Sequence, residues 1–197
     1  TRTGSIERRD DAPGFPSVGV GGIFTIPKLN SDYHYIYFMF LRIETHQEVH
    51  LAGFHCMMSL LRNQTSKLWQ QLMPLRQELS GKPSPKLYSL EIYPSHYFTA
   101  FDPDTCFLKW ACVPIQPGKN LDDEIKEMIL QEGLYAVFLH QGPASAGEKT
   151  YRYIHETWLP ESAYTLDERP HMSIMDERYK GEDENSEEEI WIPIKHK

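Results

Sequence analysis

The chain has 197 residues, with 20 Lys and Arg against 28 Asp and Glu, and a net charge of −8, which argues against nucleic acid as the main partner because a phosphate backbone demands a basic face. Cys56, Cys106 and Cys112 are too few, and odd in number, for a secreted disulfide framework. No apolar run nears the ~20 residues that span a bilayer, the first residues lack the apolar stretch of a signal peptide, and a chain of this length buries roughly 70% of its unfolded surface without help from disulfides or metal; a reduced, cytoplasmic, membrane-free globular protein is expected.

Residues 1–38 read as a leader. Thr1 to Gly22 is rich in Gly, Pro, Arg and Asp without a period. Tyr33, Tyr35 and Tyr37 alternate with His34 and Ile36, which predicts an edge strand running into Arg42–Glu44. From Gln47 onward the chain reads as one unit written twice, over about 47–115 and 133–195. In the first copy Val49–Ser59 is a strand, and Asn63 to Ser66 supply helix-capping side chains. A helix over Lys67–Leu79 follows, with Leu68, Leu72, Leu75 and Leu79 at helical spacing across Pro74. Leu87–Tyr93 and Phe107–Ile115 read as strands around the turn Asp102-Pro103-Asp104. The second copy repeats the order: strand Leu134–His140, helix Thr150–Trp158, strands His171–Met175 and Glu189–Ile194, with a solvated acidic turn from Glu182.

One such unit leaves a sheet face bare. Two together give an α+β fold: duplicated βαββ units forming one antiparallel sheet with both helices on one face. The groove between the helices, floored by the sheet, is the expected ligand site.

Four blocks in the second half form a signature: Gly133-Leu-Tyr-Ala-Val-Phe-Leu-His140-Gln-Gly142, Trp158-Leu-Pro160-Glu-Ser-Ala-Tyr164, Arg169-Pro-His171, and Ser186-Glu-Glu-Glu-Ile-Trp-Ile-Pro-Ile194. With Lys67-Leu-Trp69, Leu87-Tyr-Ser89 and Phe107-Leu-Lys-Trp110-Ala111 in the first half, they closely resemble the GyrI-like family, also called the AraC-type effector-binding domain. The resemblance implies a duplicated βαββ fold that binds small organic molecules, often hydrophobic and cationic, between its halves. Some members are fused to helix-turn-helix domains; here no such pattern or basic recognition helix is seen, so a stand-alone member without direct DNA binding is expected. Family members usually carry a Glu, and two residues later a Tyr, after the proline of the second copy's third strand. Here Pro170 is followed by Ser173 and Met175 in those places. Pro114 also interrupts the first copy's closing strand, which is expected to end there or lie at an edge.

The candidate ligand-binding residues are Trp69, Tyr88, Glu91, Trp110, His140, Trp158, His171, Ser173, Met175 and Trp191. Trp69 and Trp158 take comparable places on the two helices, Trp110 and Trp191 on the two closing strands; flat rings suit planar or cationic ligands, and core packing is the competing role. Glu91 is the candidate replacement for the missing acid. Glu189 shares a face with Trp191 by alternation, and Glu189 and Glu91 are the catalytic candidates, as bases activating a water. His140 and His171 reach toward the groove or serve as hydrogen-bonded structural residues. No metal-ligand spacing and no phosphate loop occur, so neither metal nor cofactor is expected. Three functions are open: sensing or sequestering an aromatic or cationic small molecule, hydrolysing a reactive cyclopropanoid-type electrophile, or binding a protein partner, a second copy included, as gyrase-inhibitor-like proteins do.

Overall fold

The computed structural model describes residues 39–197; the alternating tyrosines at 33–37 and the rest of the leader lie outside them. The elements in order are β1 (Phe40–His46), β2 (Val49–Met58), α1 (Thr65–Ser80), β3 (Leu87–Ile92), β4 (Phe107–Pro114), β5 (Lys126–Leu130) and β6 (Gly133–Gln141). A second helical body follows: a 3-10 turn Ala144–Ala146, α2 (Glu148–Tyr153), a π segment Ile154–Trp158 and α3 (Leu159–Glu161). Strands β7 (Tyr164–Leu166), β8 (His171–Met175) and β9 (Glu187–His196) complete the chain. No helix among the described residues is long and apolar enough to cross a membrane.

Both βαββ copies are present, and β3 pairs with β8 at the junction between them, Ser89 facing Ser173. All pairings are antiparallel, in the order β1-β6-β9-β8-β3-β4-β2-β5, with β7 beside β9. Strand β5 was not expected, and it closes the sheet. Only Gln47 and Glu48 separate β1 from β2, and only Gln131 and Glu132 separate β5 from β6. His46 faces Gly133 and Val49 faces Leu130. Two long, bent strands therefore run side by side over residues 40–53 and 126–138, and the ends of the sheet meet.

Closure creates an inner face and an outer one. Leu51, Leu90, Cys112, Leu130, Tyr135, Val137 and Met172 fill the inner face, contributed by both copies. On the outer face α1 lays Leu68, Leu72 and Leu79 on Ala52, Ala111 and Val113. The second helical body lays Ile154 on Ala136, Phe138, Ile190 and Ile192. Helix α1 is continuous across Pro74 and ends at Gly81, whose φ of 68° lets its N–H reach the Gln77 carbonyl at 2.9 Å, a left-handed cap that glycine adopts without strain. The second body widens into π geometry just ahead of Pro160, whose missing N–H cannot close the next helical turn. Strand β4 ends at Pro114, as expected, but in the sheet interior between β3 and β2.

The β2–β4 pairing is tight. A methyl group on Gly53 would overlap the Ala111 carbonyl oxygen and the Cys112 backbone. These atoms belong to a paired ladder and have nowhere to move, so Gly53→Ala is expected to cost about 3 kcal/mol, the upper end for overpacking a core. Chemical denaturation checks this; an unchanged midpoint would show that the ladder yields.

Candidate functional site

Alternation along β3 and β8 sends Tyr88, Leu90, Met172 and Ile174 inward and Ser89, Glu91, His171, Ser173 and Met175 to the helix side. The floor of the inter-helix groove is thus polar and buried. Glu91 faces His171 on one neighbouring strand and Lys109 on the other. It forms an ion pair with Lys109, and both residues are less than 10% exposed. The second carboxylate oxygen, Oε2, is buried and has no partner among the described residues.

Glu188 enters the same space from β9. Burial pushes its carboxyl above the usual carboxylate range, opposed by His140 and by a hydrogen bond with Ser173. The Tyr151 phenol, from α2, is held well above its ordinary value by burial and is also hydrogen-bonded to Ser173. The serine in the place of the resemblance's expected acid therefore links a tyrosine from the second helix to a carboxylate one strand away.

The other end of the groove is aromatic. The connection between β3 and β4 carries Tyr97 and Phe98. Phe98 stacks on His155 at 4.7 Å and on His171 at 5.1 Å, and Tyr93 meets His171 edge-on at 5.1 Å. His155 Nε2 and His171 Nδ1 are buried without partners among the described residues. Burial lowers the first ring to about 4; burial and then the neighbouring His155 lower the second to about 3. Both are neutral at pH 7.

The candidate residues divide between two faces. Glu91, His171, Ser173 and Met175 share the helix-side floor. His140 is on that side too, but as a clamp: its Nδ1 lies 2.9 Å from Thr150 Oγ1 and its Nε2 lies 3.0 Å from the Pro143 carbonyl. The carbonyl requires the proton on Nε2, so Nδ1 accepts from the threonine. Trp158 stacks on Phe40 at 5.3 Å and meets Phe138 edge-on at 5.1 Å. Trp69 packs half-buried against the α1 cluster.

Tyr88, Trp110, Trp191 and Glu189 lie on the inner face. Trp110 packs on His55 at 4.4 Å. Glu189 does share a face with Trp191, accepting its indole N–H at 3.1 Å, and it takes a two-pronged ion pair from Arg42 at 3.0 and 3.1 Å. Both catalytic candidates are thus engaged by a cation, Glu91 by Lys109 and Glu189 by Arg42. Near Trp191 the inner face opens into a cavity of about 410 Å³.

Glu188, Tyr151, Lys109 and the Phe98–His155 contact were not singled out from the sequence. A signal existed for Glu188: the alternation that sets Glu189 beside Trp191 sets Glu188 on the opposite face. Its place in an acidic run disguised it, since the strand begins at Glu187, inside that run.

The GyrI-like small molecule binding domain family matches residues 39–195. Among solved structures, SAV2435 bound to tetraphenylphosphonium is 18% identical, with a TM-score of 0.56 over 78% of this chain and 93% of that one. The EcmrR C-terminal domain is 12% identical, with a TM-score of 0.61 over 80% and 99%. A hydrolase encoded by lin2189 from Listeria innocua is 14% identical, with a TM-score of 0.53 over 83% and 97%. No curated protein matches the sequence itself. At these identities the structural likenesses speak for the fold, and they agree with the duplicated units and the two-helix face described above. The family match spans nearly all of the described residues: the chain belongs to the GyrI-like small-molecule-binding domain family.

Proposed function

We propose that the protein senses or sequesters a small amphipathic molecule, aromatic and cationic, held between its two helices with Glu188 as the polar contact. The observation that carries this is the Glu188–Ser173–Tyr151 arrangement at the groove floor. A half-buried carboxyl whose charge is disfavoured by desolvation gains most from a cation that arrives without its water. The rings of Tyr93, Phe98 and Tyr151 supply apolar contact and cation–π attraction, and apolar burial supplies most of the affinity.

Tetraphenylphosphonium is the probe, because a structural neighbour is described as bound to it. Calorimetric titration is expected to show binding, and Glu188→Gln is expected to weaken it about tenfold, the value of one charge-assisted contact. Absence of binding, or equal affinity in the variant, would refute the assignment. The raised Glu188 beside a buried phenol also supports a second reading, hydrolysis of a reactive electrophile with Glu188 as the acid–base group; loss of turnover in Glu188→Gln with binding retained would favour it.

A further inference from the structure

The floor of the helix groove is roofed. Glu91, His171 and Ser173 are each less than 10% exposed, so a ligand that reaches them must lift part of what covers them. One piece of the cover is held differently from the rest. The connection between β3 and β4 is anchored by Tyr97, which is 3% exposed and packs with Met58 and Phe107. On either side of that anchor, residues 95–96 and 98–101 are exposed. Among the described residues, the backbone hydrogen bonds of segment 94–101 close within it. The Tyr97 N–H donates to the Pro94 carbonyl at 2.9 Å, and the Thr99 and Ala100 N–H groups donate to the His96 carbonyl at 3.1 and 3.0 Å. A segment bonded in this way opens without unfolding its neighbours.

From this first-copy connection the Phe98 ring reaches across to two imidazoles of the second copy. It lies nearly parallel to both, at 18° to His155 and 17° to His171. The π segment presents His155, and the floor strand β8 presents His171. The other ring contacts of Phe98, edge-on to Tyr93 at 4.9 Å and to Tyr97 at 5.2 Å, are with its own copy. A benzene ring gives no hydrogen bond to the buried nitrogens His155 Nε2 and His171 Nδ1, which have no partner among the described residues. Sealing polar atoms unanswered works against the stack. Phe98 itself stays 36% exposed, so its hold on the two imidazoles is weak. Two parallel imidazoles beneath a displaceable ring form a seat for a planar aromatic group.

We infer that Phe98 is the built-in occupant of the groove's ring seat and acts as its gate: it lies on His155 and His171 in the closed groove, and a phenyl-sized ring of the ligand takes its place. This rests on the groove being the ligand site. The Phe98 ring swings about its own side-chain bonds while Tyr97 keeps the connection in place, so no strand or helix has to move. Once displaced, it is free to pack on the outer side of the ligand's ring. The seat therefore selects cations that carry a flat, unhindered ring. An aliphatic cation of the same charge has nothing to put on the two imidazoles.

Diethyl pyrocarbonate, which acylates neutral imidazoles that solvent reaches, tests this on the whole chain, with mass spectrometry following each histidine. His171 and His140 are equally buried, at 4%, but His140 is held by Thr150 and Pro143. In Phe98→Ala, His171 is expected to react about tenfold faster, the weight of two released ring contacts, with His140 unchanged. Excess tetraphenylphosphonium is expected to return His171 of the variant to the wild-type rate. Tetrabutylphosphonium, equal in charge and without rings, is expected to leave it fast. The inference is overturned if His171 keeps its wild-type rate in the variant, or if His140 quickens with it, which means general loosening. It is also overturned if bound tetraphenylphosphonium shields His171 no better than tetrabutylphosphonium does. If calorimetry shows no tetraphenylphosphonium binding, the ligand assignment of the groove falls, and the His171 rate without ligand still decides whether Phe98 is a gate.

Discussion

Lys109→Met is expected to lower the thermal midpoint by about 10 °C. The substitution keeps the length and apolar stem of the side chain but strands the Glu91 carboxylate, which is buried beneath the helices with one oxygen already unpartnered. Breaking a buried pair by removing one partner costs about 3–5 kcal/mol, and a domain of this size loses roughly 2–4 °C for each kcal/mol. The paired change separates an electrostatic cause from a packing one. Glu91→Leu with Lys109→Met removes both charges and is expected to recover most of the loss, because an apolar pair in that position needs no compensation. Calorimetric melts of the single and double variants decide it. If the single variant melts with the wild type, the pair contributes nothing to the floor; if the double variant is as weak as the single, lost packing is responsible.

Acid is expected to destabilise the fold well before carboxylates protonate. His155 and His171 titrate near 6.5 when unfolded, but at about 4 and about 3 in the fold. Between these limits the unfolded chain binds protons that the folded chain refuses, so stability falls as pH drops. Its full value is present above pH 6.5. It declines through the window from 6.5 toward 4 and 3, by up to about 1.4 kcal/mol per pH unit for each ring. Asp167 and Asp176, whose carboxyls are lowered by their arginine partners against some desolvation, add to the decline only nearer pH 4. Urea midpoints at pH 7.5 and pH 5.0 measure the effect. His171→Phe, which preserves the stack on Phe98, is expected to reduce the slope by about half. A flat profile in the wild type would mean that the rings accept protons in place.

The fold was legible because its signals are periodic and redundant. Leu68, Leu72 and Leu79 mark a helix face, Ala136 and Phe138 a buried strand, and the order repeats. Strand β5 was hidden because only Leu130 of its residues is buried; an exposed edge strand leaves no apolar pattern. Site residues were harder to read, for a reason that Trp191 and Glu188 illustrate. Pseudo-symmetry equates Trp110 with Trp191 correctly, yet it does not say which side of the sheet either occupies. Once closure makes both sides buried, an aromatic residue on a strand has two enclosed spaces to enter, and the sequence names neither. The polar link from Ser173 to Glu188 crosses between strands 15 positions apart in a part of the chain where composition suggests only a solvated run.

The interlocked long strands also set an order of events for the nascent chain. Residues 40–53 have ladder partners in residues 126–138, and β2 pairs with β4 as well, so the first copy emerges from the ribosome with one edge unsatisfied until β5 and the first strand of the second copy have been synthesised. Contacts so distant in sequence are slow to form, and an open edge is an invitation to mispairing in the interval. Synthesis of a single copy would thus yield a sheet that seeks a neighbour, which makes the duplicated unit indivisible even though its design is written twice.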